Sequence, residues 1–556
     1  GPALRHGSFF VAAHDASRGN SPEDALSAAQ PAASFADEGF ALCRRHSKAA
    51  KGATSICGGA AAKTVLVREM RYASSLEPRS ALFERPSMLF CDIDLLDADF
   101  AIKRHQWVGV RDGRIAYIGS VSPAPDEAAT FGETYDGTGR LLMPALYNAH
   151  AHAPMTLLRG YAENLPLQRW LEEKCFPFEA KMTAEDCYWG TVLACAEMAR
   201  FGVVSFSDMY YATEERARAV LEAGMKANMC EGLVAFEEKP YAEYPICAQM
   251  EALVRDWHGG GDGRIRIDYN IHSEYLSTET VCRDILDIVR GTDLRLHIHL
   301  SETEKEVREC RERHGGLTPV AYFDSLGLFE VPVTAAHCVW VDDADLDILQ
   351  RHGVFVANNP ASNMKLGSGF APIPEMLRRG IPVCLGSDGM ASNNNHNLFH
   401  DMYLQALIYK GATLDPTAVT PQQALAAATR TGALSQGRED CGVVAEGARA
   451  DLCVLDITGP SWCPAPDLVY NLVYAGDGAD VVLTMCDGEV IYRATSAAAS
   501  ADASGVASAG VPGATSAGTA RGCIQHAVTN AEWPTIDIER AKAECAARTA
   551  RIISEL

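Results

Sequence analysis

Between residues 141 and 440 the chain repeats one pattern eight times: a short apolar run, then a stretch with helical spacing. The candidate strands are 141–147, 203–208, 227–233, 265–271, 294–299, 333–339, 354–357 and 382–385. Helix-like stretches such as 184–200, 214–223, 278–290 and 342–351 lie between them. Parallel strands need such crossovers, because each helix returns the chain to the start of the next strand. A doubly wound open sheet and a closed (β/α)8 barrel both satisfy the pattern. The count of eight, and the polar residues at the strand ends, favour a TIM-like barrel of class α/β.

Both flanks carry short β units. Val108 to Ile118 reads as two strands around Asp112-Gly113, and Val481 to Tyr492 as two more around Asp487-Gly488. Asp-Gly is a strong hairpin signal, since both residues tolerate positive φ. Ala450 to Asp456 adds another strand. One small β-sandwich domain built from both ends of the chain explains these units economically. The expected organisation is an extension over 1–87, the β domain from 88–143 and 443–493, and the catalytic barrel over 144–442. A flexible insertion over 494–522, a candidate last piece of the β domain at 523–537, and a helix over 538–556 complete it. Residues 1–87 are rich in Ala, Ser, Gly and Arg, and Met88 reads as the start of the conventional protein.

Composition excludes several classes. The net charge of −23 argues against nucleic acid, whose phosphates need a basic surface. No run approaches the roughly 18 apolar residues of a membrane helix. The 18 cysteines are scattered through apolar runs with no Cys-x-x-Cys pair, so they read as reduced core thiols and point to the cytoplasm.

In a barrel of this kind, reactive groups sit at the carboxyl ends of the strands. The first strand runs into His150-Ala151-His152, and the strand period of two puts both imidazoles on one side. Alone, that pair is as readily two polar residues at a strand end. The fifth strand ends His297-Ile298-His299-Leu300-Ser301-Glu302. Here His299 is the better ligand, the deeper His297 reads as a hydrogen-bonded core histidine, and Glu302 lies where it reaches a substrate. The sixth strand ends at His337, and the eighth at Asp388-Gly389, which in isolation reads as a turn. Four strand ends converging on His, His, His and Asp change that weighting. Nitrogen and carboxylate donors suit Zn²⁺ or Fe²⁺ and leave room for a water.

These residues resemble the amidohydrolase superfamily, and within it the 5′-methylthioadenosine/S-adenosylhomocysteine deaminase group. The resemblance covers about Met88 to Tyr492 and the stretch from Trp533. It rests on Asn148 to Met155, Leu158 to Glu163, Trp170-Leu171, His297 to Thr303, Asn359 to Leu366, and Gly386 to Gly389 running on to Asn395. It implies one divalent ion per subunit, zinc first and iron second, held by His150, His152, His299 and Asp388. It implies that Glu302 shuttles protons to the purine ring and that His337 orients the attacking group or stabilises developing charge. Glu179 would hold the ribose hydroxyls, with Trp170 beside it, His272 would contact the base, and Ser392 would line the pocket near Asp388.

The expected reaction is hydrolytic deamination of an adenosine-type nucleoside: adenosine, 5′-deoxyadenosine, 5′-methylthioadenosine or S-adenosylhomocysteine. The partner is then a small nucleoside, and the family expectation is a homo-oligomer, dimer or tetramer. Relatives that accept S-adenosylhomocysteine carry an arginine where this chain has Glu231, so a carboxylate facing the substrate's carboxylate is expected to repel it. Two alternatives remain: a hydrolase of guanine-like, triazine or related amino- or chloro-substituted rings on the same scaffold, and a non-catalytic scaffold. Intact ligand positions argue against the last.

Overall fold

The computed structural model describes residues 86–495 and 530–556. The extension read over 1–87, save its last two residues, and the tract read over 494–522, save its first two, lie outside the described residues.

The barrel strands are β1 (Leu146–His152), β2 (Val203–Tyr210), β3 (Lys226–Glu231), β4 (Ile265–Ile267 and Tyr269–Ile271), β5 (Leu296–Leu300), β6 (Val333–His337), β7 (Phe355–Asn358) and β8 (Val383–Leu385 and Asp388–Gly389). All neighbours pair in parallel. Two strands are broken. In β4 the first half pairs with β3 and the second with β5, and Asp268 N still donates to Met229 O of β3 across the break at 2.9 Å. In β8 the first half pairs with β7, and Asp388 and Gly389 pair with Ala151 and His152 of β1, which closes the ring. The second break sets Asp388 directly beside the His-x-His pair.

The expected strand 141–147 proves to be two. Arg140–Pro144 belongs to the flanking sheet, and β1 starts at Leu146 and runs through both histidines. The run Leu141 to Tyr147 is buried throughout on both sides of Ala145, so hydrophobicity gives no sign of the change of sheet.

Among the described residues the flanking sheet has nine strands. Arg140–Pro144 is its seam: it pairs antiparallel with Leu452–Asp456 and parallel with Met88–Leu96, so strands from the two flanks of the barrel join side by side. Both Asp-Gly corners form hairpins, with φ of 54° and 74° at Asp112-Gly113 and 48° and 80° at Asp487-Gly488. Leu142, Val454, Phe90 and Leu483 fill its core.

The last helix, Ile538–Ser554, lies on the helix Ala184–Arg200. Arg548 and Arg551 both bond the buried Asp186 carboxylate, at 2.9 and 2.6 Å. Thr549 Oγ1 donates to Leu157 O at 2.9 Å, which braces the segment that follows His152. Among the described residues no helix is long and apolar enough to cross a membrane.

A candidate metal centre at the carboxyl end of the barrel

The alternation of β1 turns His150 and His152 to the same side, with ring centroids 4.9 Å apart. His299, from β5 across the barrel, stands 4.9 Å from His150 and 5.4 Å from His152. Asp388 Oδ1 lies 3.4 Å from His150 Nε2 and 3.2 Å from His152 Nε2. Donor atoms of His150, His152 and His299 fall within 4.8 Å of one another, as do those of His150, His337 and Asp388.

The outward nitrogens explain how these rings are aimed. His152 Nδ1 is 2.5 Å from Met209 O, and His299 Nδ1 is 2.9 Å from His272 O. A carbonyl only accepts, so each Nδ1 carries the proton and each Nε2 presents a lone pair. Those two bare Nε2 atoms approach to 3.4 Å. His150 Nδ1 meets His297 Nε2 at 2.9 Å, and His150 Nε2 is buried without a hydrogen-bond partner. Lone pairs and a carboxylate converging in a buried space ask for a cation. Second-layer hydrogen bonds of this kind are how proteins orient metal-binding imidazoles. The residues therefore fit a single divalent ion bound through nitrogen and oxygen.

Titration behaviour carries the same imprint. Burial takes His150 down to about 4 and His299 well below the ordinary histidine value. For His152, burial pulls down, but the hydrogen bond and charge of Asp388 prevail and lift it to about 9. Burial alone would raise Asp388, yet the imidazoles of His150 and His152 beside it hold it well below the ordinary carboxylate range.

Asp388 Oδ2 accepts from Ser362 Oγ at 2.5 Å, and His337 Nδ1 is 2.8 Å from Asn363 Oδ1. Both partners come from the short helix Pro360–Lys365 after β7. His337 Nε2 stands 3.8 Å from Glu302 Oε2 and 4.0 Å from Asp388 Oδ2. Ser301, His337 and Asp388 all have positive φ, at 51°, 74° and 59°. Left-handed backbone at three strand ends bearing the site's chemistry is strain that the surrounding packing must hold. At Ser301 the hold is visible: the Glu306 carboxylate accepts from the N–H groups of Ser301 and Glu302 at 3.0 and 2.7 Å. Burial raises the Glu302 carboxyl, the Asp388 charge adds to this, and His337 opposes it.

One cavity joins these groups to a second wall. It is lined by His152, His272, His299, Glu302, His337 and Asp388 on one side, and by Trp170, Leu171, Phe176, Glu179, Tyr210 and Tyr211 on the other. The second wall begins with a helical run, Leu167–Trp170 and Phe176–Glu179, interrupted by a π-helical turn at Leu171–Cys175. The π turn adds a residue per turn, so the face of Trp170 and Leu171 recurs at Glu179 rather than at Phe178. Phe178 is then free to sit fully in the core. Tyr210 donates its hydroxyl to Glu179 Oε1 at 2.7 Å, while burial lifts that carboxyl to about 7.

Most of the expected site residues meet in this cavity. Trp170 lines it with its indole N–H on Ala162 O, and His272 lines it with Nδ1 unpartnered. Ser392 does not line it: its hydroxyl is buried and donates to Gly389 O at 3.1 Å, because the turn after β8 closes on itself. Glu231 does not line it either. Its carboxylate turns away from the cavity and accepts from Ala212 N, Thr213 N and Thr213 Oγ1 at 3.1, 2.9 and 2.6 Å, capping the helix Thr213–Glu222. Sequence reasoning missed Tyr210, Tyr211, Phe176, Ser362 and Asn363. Ser362 and Asn363 lie inside the run Asn359 to Leu366, whose residue types alone assign them no role.

Residues 141–491 match the sequence profile of the amidohydrolase family. The 5-methylthioadenosine/S-adenosylhomocysteine deaminase of Pelotomaculum thermopropionicum is 42% identical over 69% of this chain and 89% of its own. The 5′-deoxyadenosine deaminase of Methanothermobacter thermautotrophicus is 40% identical over 74% of this chain and 94% of its own. Among solved structures, an adenosine deaminase from Xanthomonas campestris with bound zinc superposes with a TM-score of 0.72 at 26% identity, covering 84% of this chain and 99% of that one. A histidine-and-aspartate centre at the mouth of an eight-stranded barrel, a profile match across that barrel and relatives aligned over most of their length agree: the chain belongs to the amidohydrolase family.

Proposed function

We propose that the protein is a metal-dependent deaminase of adenosine-type nucleosides, converting the 6-amino purine to its inosine analogue with release of ammonia. The observation that carries this reading is the convergence of His150, His152, His299 and Asp388 at the floor of one cavity whose lining includes Glu302, His337 and, on the facing wall, Glu179. The named activities of the relatives support it.

In this reading His150, His152, His299 and Asp388 hold the ion, zinc being the natural choice for nitrogen and carboxylate donors. Bound there, the ion supplies Lewis acidity that lowers the pKa of water from 15.7 towards about 7. Asp388 takes the water's proton on a carboxylate oxygen while Ser362 steadies the other. Glu302, whose carboxyl burial raises, gives a proton to the ring nitrogen beside the amine-bearing carbon, which makes that carbon receptive to attack. His337, its Nδ1 fixed by Asn363, turns Nε2 to the reacting centre and stabilises the charge that develops there. Glu179 receives the ribose hydroxyls, and Trp170 supplies a flat apolar wall. The described cysteines are all unpaired, which accords with a cytoplasmic enzyme, and a homo-oligomer is the family expectation.

The test is ammonia release from adenosine, 5′-deoxyadenosine, 5′-methylthioadenosine, S-adenosylhomocysteine, guanine and free adenine, with zinc and with chelator. Nucleosides turned over only with metal are expected. Free adenine turned over as well as adenosine would overturn the ribose role of Glu179 and favour a nucleobase substrate.

A further inference from the structure

Depth divides the cavity. Asp388, His299 and Glu302 are at most 8% exposed, whereas Phe176 and Tyr211 are 45% and 39% exposed and still line it. These two rings therefore form its mouth. A nucleoside with its base at the metal centre and its ribose on Glu179 presents its 5′ substituent to them.

The mouth is built with care on the Tyr211 side. Arg216, fully buried, donates from Nε to Tyr211 O and from Nη2 to Tyr210 O, both at 2.8 Å. Asp208 and Glu231 flank it as buried carboxylates, Asp208 at 2.5 Å. A β-carbon on Gly232 would come within 2.9 Å of the Tyr211 ring, so glycine there leaves the ring its seat. The departure at Glu231 thus serves the wall, not the substrate.

The chemistry of the lining is one-sided. Among the described residues its carboxylates are Glu179, Glu302 and Asp388, and none that lines it is a lysine or arginine. Lys239 is paired with Glu237 at 2.7 Å, Lys365, at the end of the helix Pro360–Lys365, with Glu163 at 2.9 Å, and Lys305 donates to Gln168 Oε1 at 3.1 Å. A zwitterionic tail entering this mouth would lose hydration of its carboxylate without gaining a cation. A methylthio group makes the same sulfur–aromatic contact without bringing a carboxylate to desolvate.

We propose that Phe176 and Tyr211 form an aromatic clamp on the 5′ substituent that selects small apolar groups, methylthio or hydrogen, over the amino-acid tail of S-adenosylhomocysteine. This rests on the deaminase reading above. The test compares kcat/KM of the zinc-loaded protein for 5′-methylthioadenosine, 5′-deoxyadenosine, adenosine and S-adenosylhomocysteine. The wild type is expected to favour 5′-methylthioadenosine over S-adenosylhomocysteine by at least about tenfold, because only the latter brings a carboxylate to desolvate. Phe176→Ala and Tyr211→Ala should each lower the ratio of 5′-methylthioadenosine to adenosine by about three- to tenfold, and Tyr211→Phe should keep it. Equal turnover of 5′-methylthioadenosine and S-adenosylhomocysteine, or an unchanged ratio in both alanine variants, overturns the clamp alone. No turnover of any of the four overturns the deaminase reading and the clamp with it.

Discussion

His150 Nδ1 and His297 Nε2 lie 2.9 Å apart, so the histidine deepest in β5 holds the ring of a residue at the metal centre. His297 is 2% exposed and does not itself reach the cavity. Replacing it with phenylalanine keeps much of the volume and removes the hydrogen-bond partner that His150 Nδ1 has among the described residues. His297→Phe should weaken zinc binding by about 10–100-fold, the usual loss when such an outer partner is removed. Competition with a chromogenic chelator measures this. Unchanged affinity in a folded variant would show that packing alone aims His150.

Glu302 can be separated from the metal. Its carboxyl faces His337, and its backbone is held by Glu306. Glu302→Gln keeps shape but cannot cycle a proton, so kcat should fall by about 10²–10⁴. Zinc content should stay at wild-type level. Loss of zinc together with activity would instead make Glu302 part of the ion's cage.

Much of this site was legible because it obeys strand arithmetic. His150 and His152 share a side through the period of two, and His299, His337 and Asp388 mark strand ends that apolar runs announce. What was not legible depends on packing at a distance. Ala145 divides two sheets inside one unbroken apolar run. Glu231 turns to the Thr213 helix because Arg216 and free backbone N–H groups lie that way, which no local pattern records. Glu179 reaches the cavity only because a π turn shifts the helix phase, and Ser392 misses it because its own turn closes on Gly389.

Glu179 predicts a pH dependence. Burial raises its carboxyl to about 7, against the hydrogen bond from Tyr210, which favours the anion. Between the ordinary value of 4.5 and about 7 the folded protein holds a proton that the unfolded chain releases. Its contribution to stability is therefore present below 4.5 and lost as pH rises through about 7. Ribose recognition runs the other way, because the carboxylate form accepts from two hydroxyls. KM for adenosine should fall as pH rises through about 7, and KM for 2′,3′-dideoxyadenosine should not show this step. A step of equal size for both nucleosides would assign it to another group.

Ser362 isolates the role of the second Asp388 oxygen. Its hydroxyl donates at 2.5 Å to Oδ2 while Oδ1 faces His150 and His152. A hydrogen bond to a charged acceptor is worth about 1.5–3 kcal/mol. Ser362→Ala should lower kcat by about ten- to hundredfold with little change in KM, and Ser362→Thr should restore most of it. A loss confined to KM would move Ser362 from the reacting carboxylate to substrate binding.

Glu231 offers the sharpest separation of sequence logic from structural logic. Read by analogy, Glu231→Arg would restore a cation for the substrate's carboxylate and raise turnover of S-adenosylhomocysteine. The structure predicts the opposite. The side chain points at the start of the Thr213–Glu222 helix, whose N–H groups need an acceptor. It also stands beside Arg216, which is fully buried and whose charge Glu231 helps to neutralise. Arginine there removes the cap and sets two buried cations together. Breaking a buried charge arrangement costs about 3–5 kcal/mol. Chemical denaturation of Glu231→Arg should show a loss of that order, and its S-adenosylhomocysteine turnover should not exceed wild type. A stable variant with enhanced turnover of that substrate would mean that residue 231 can swing to the cavity after all.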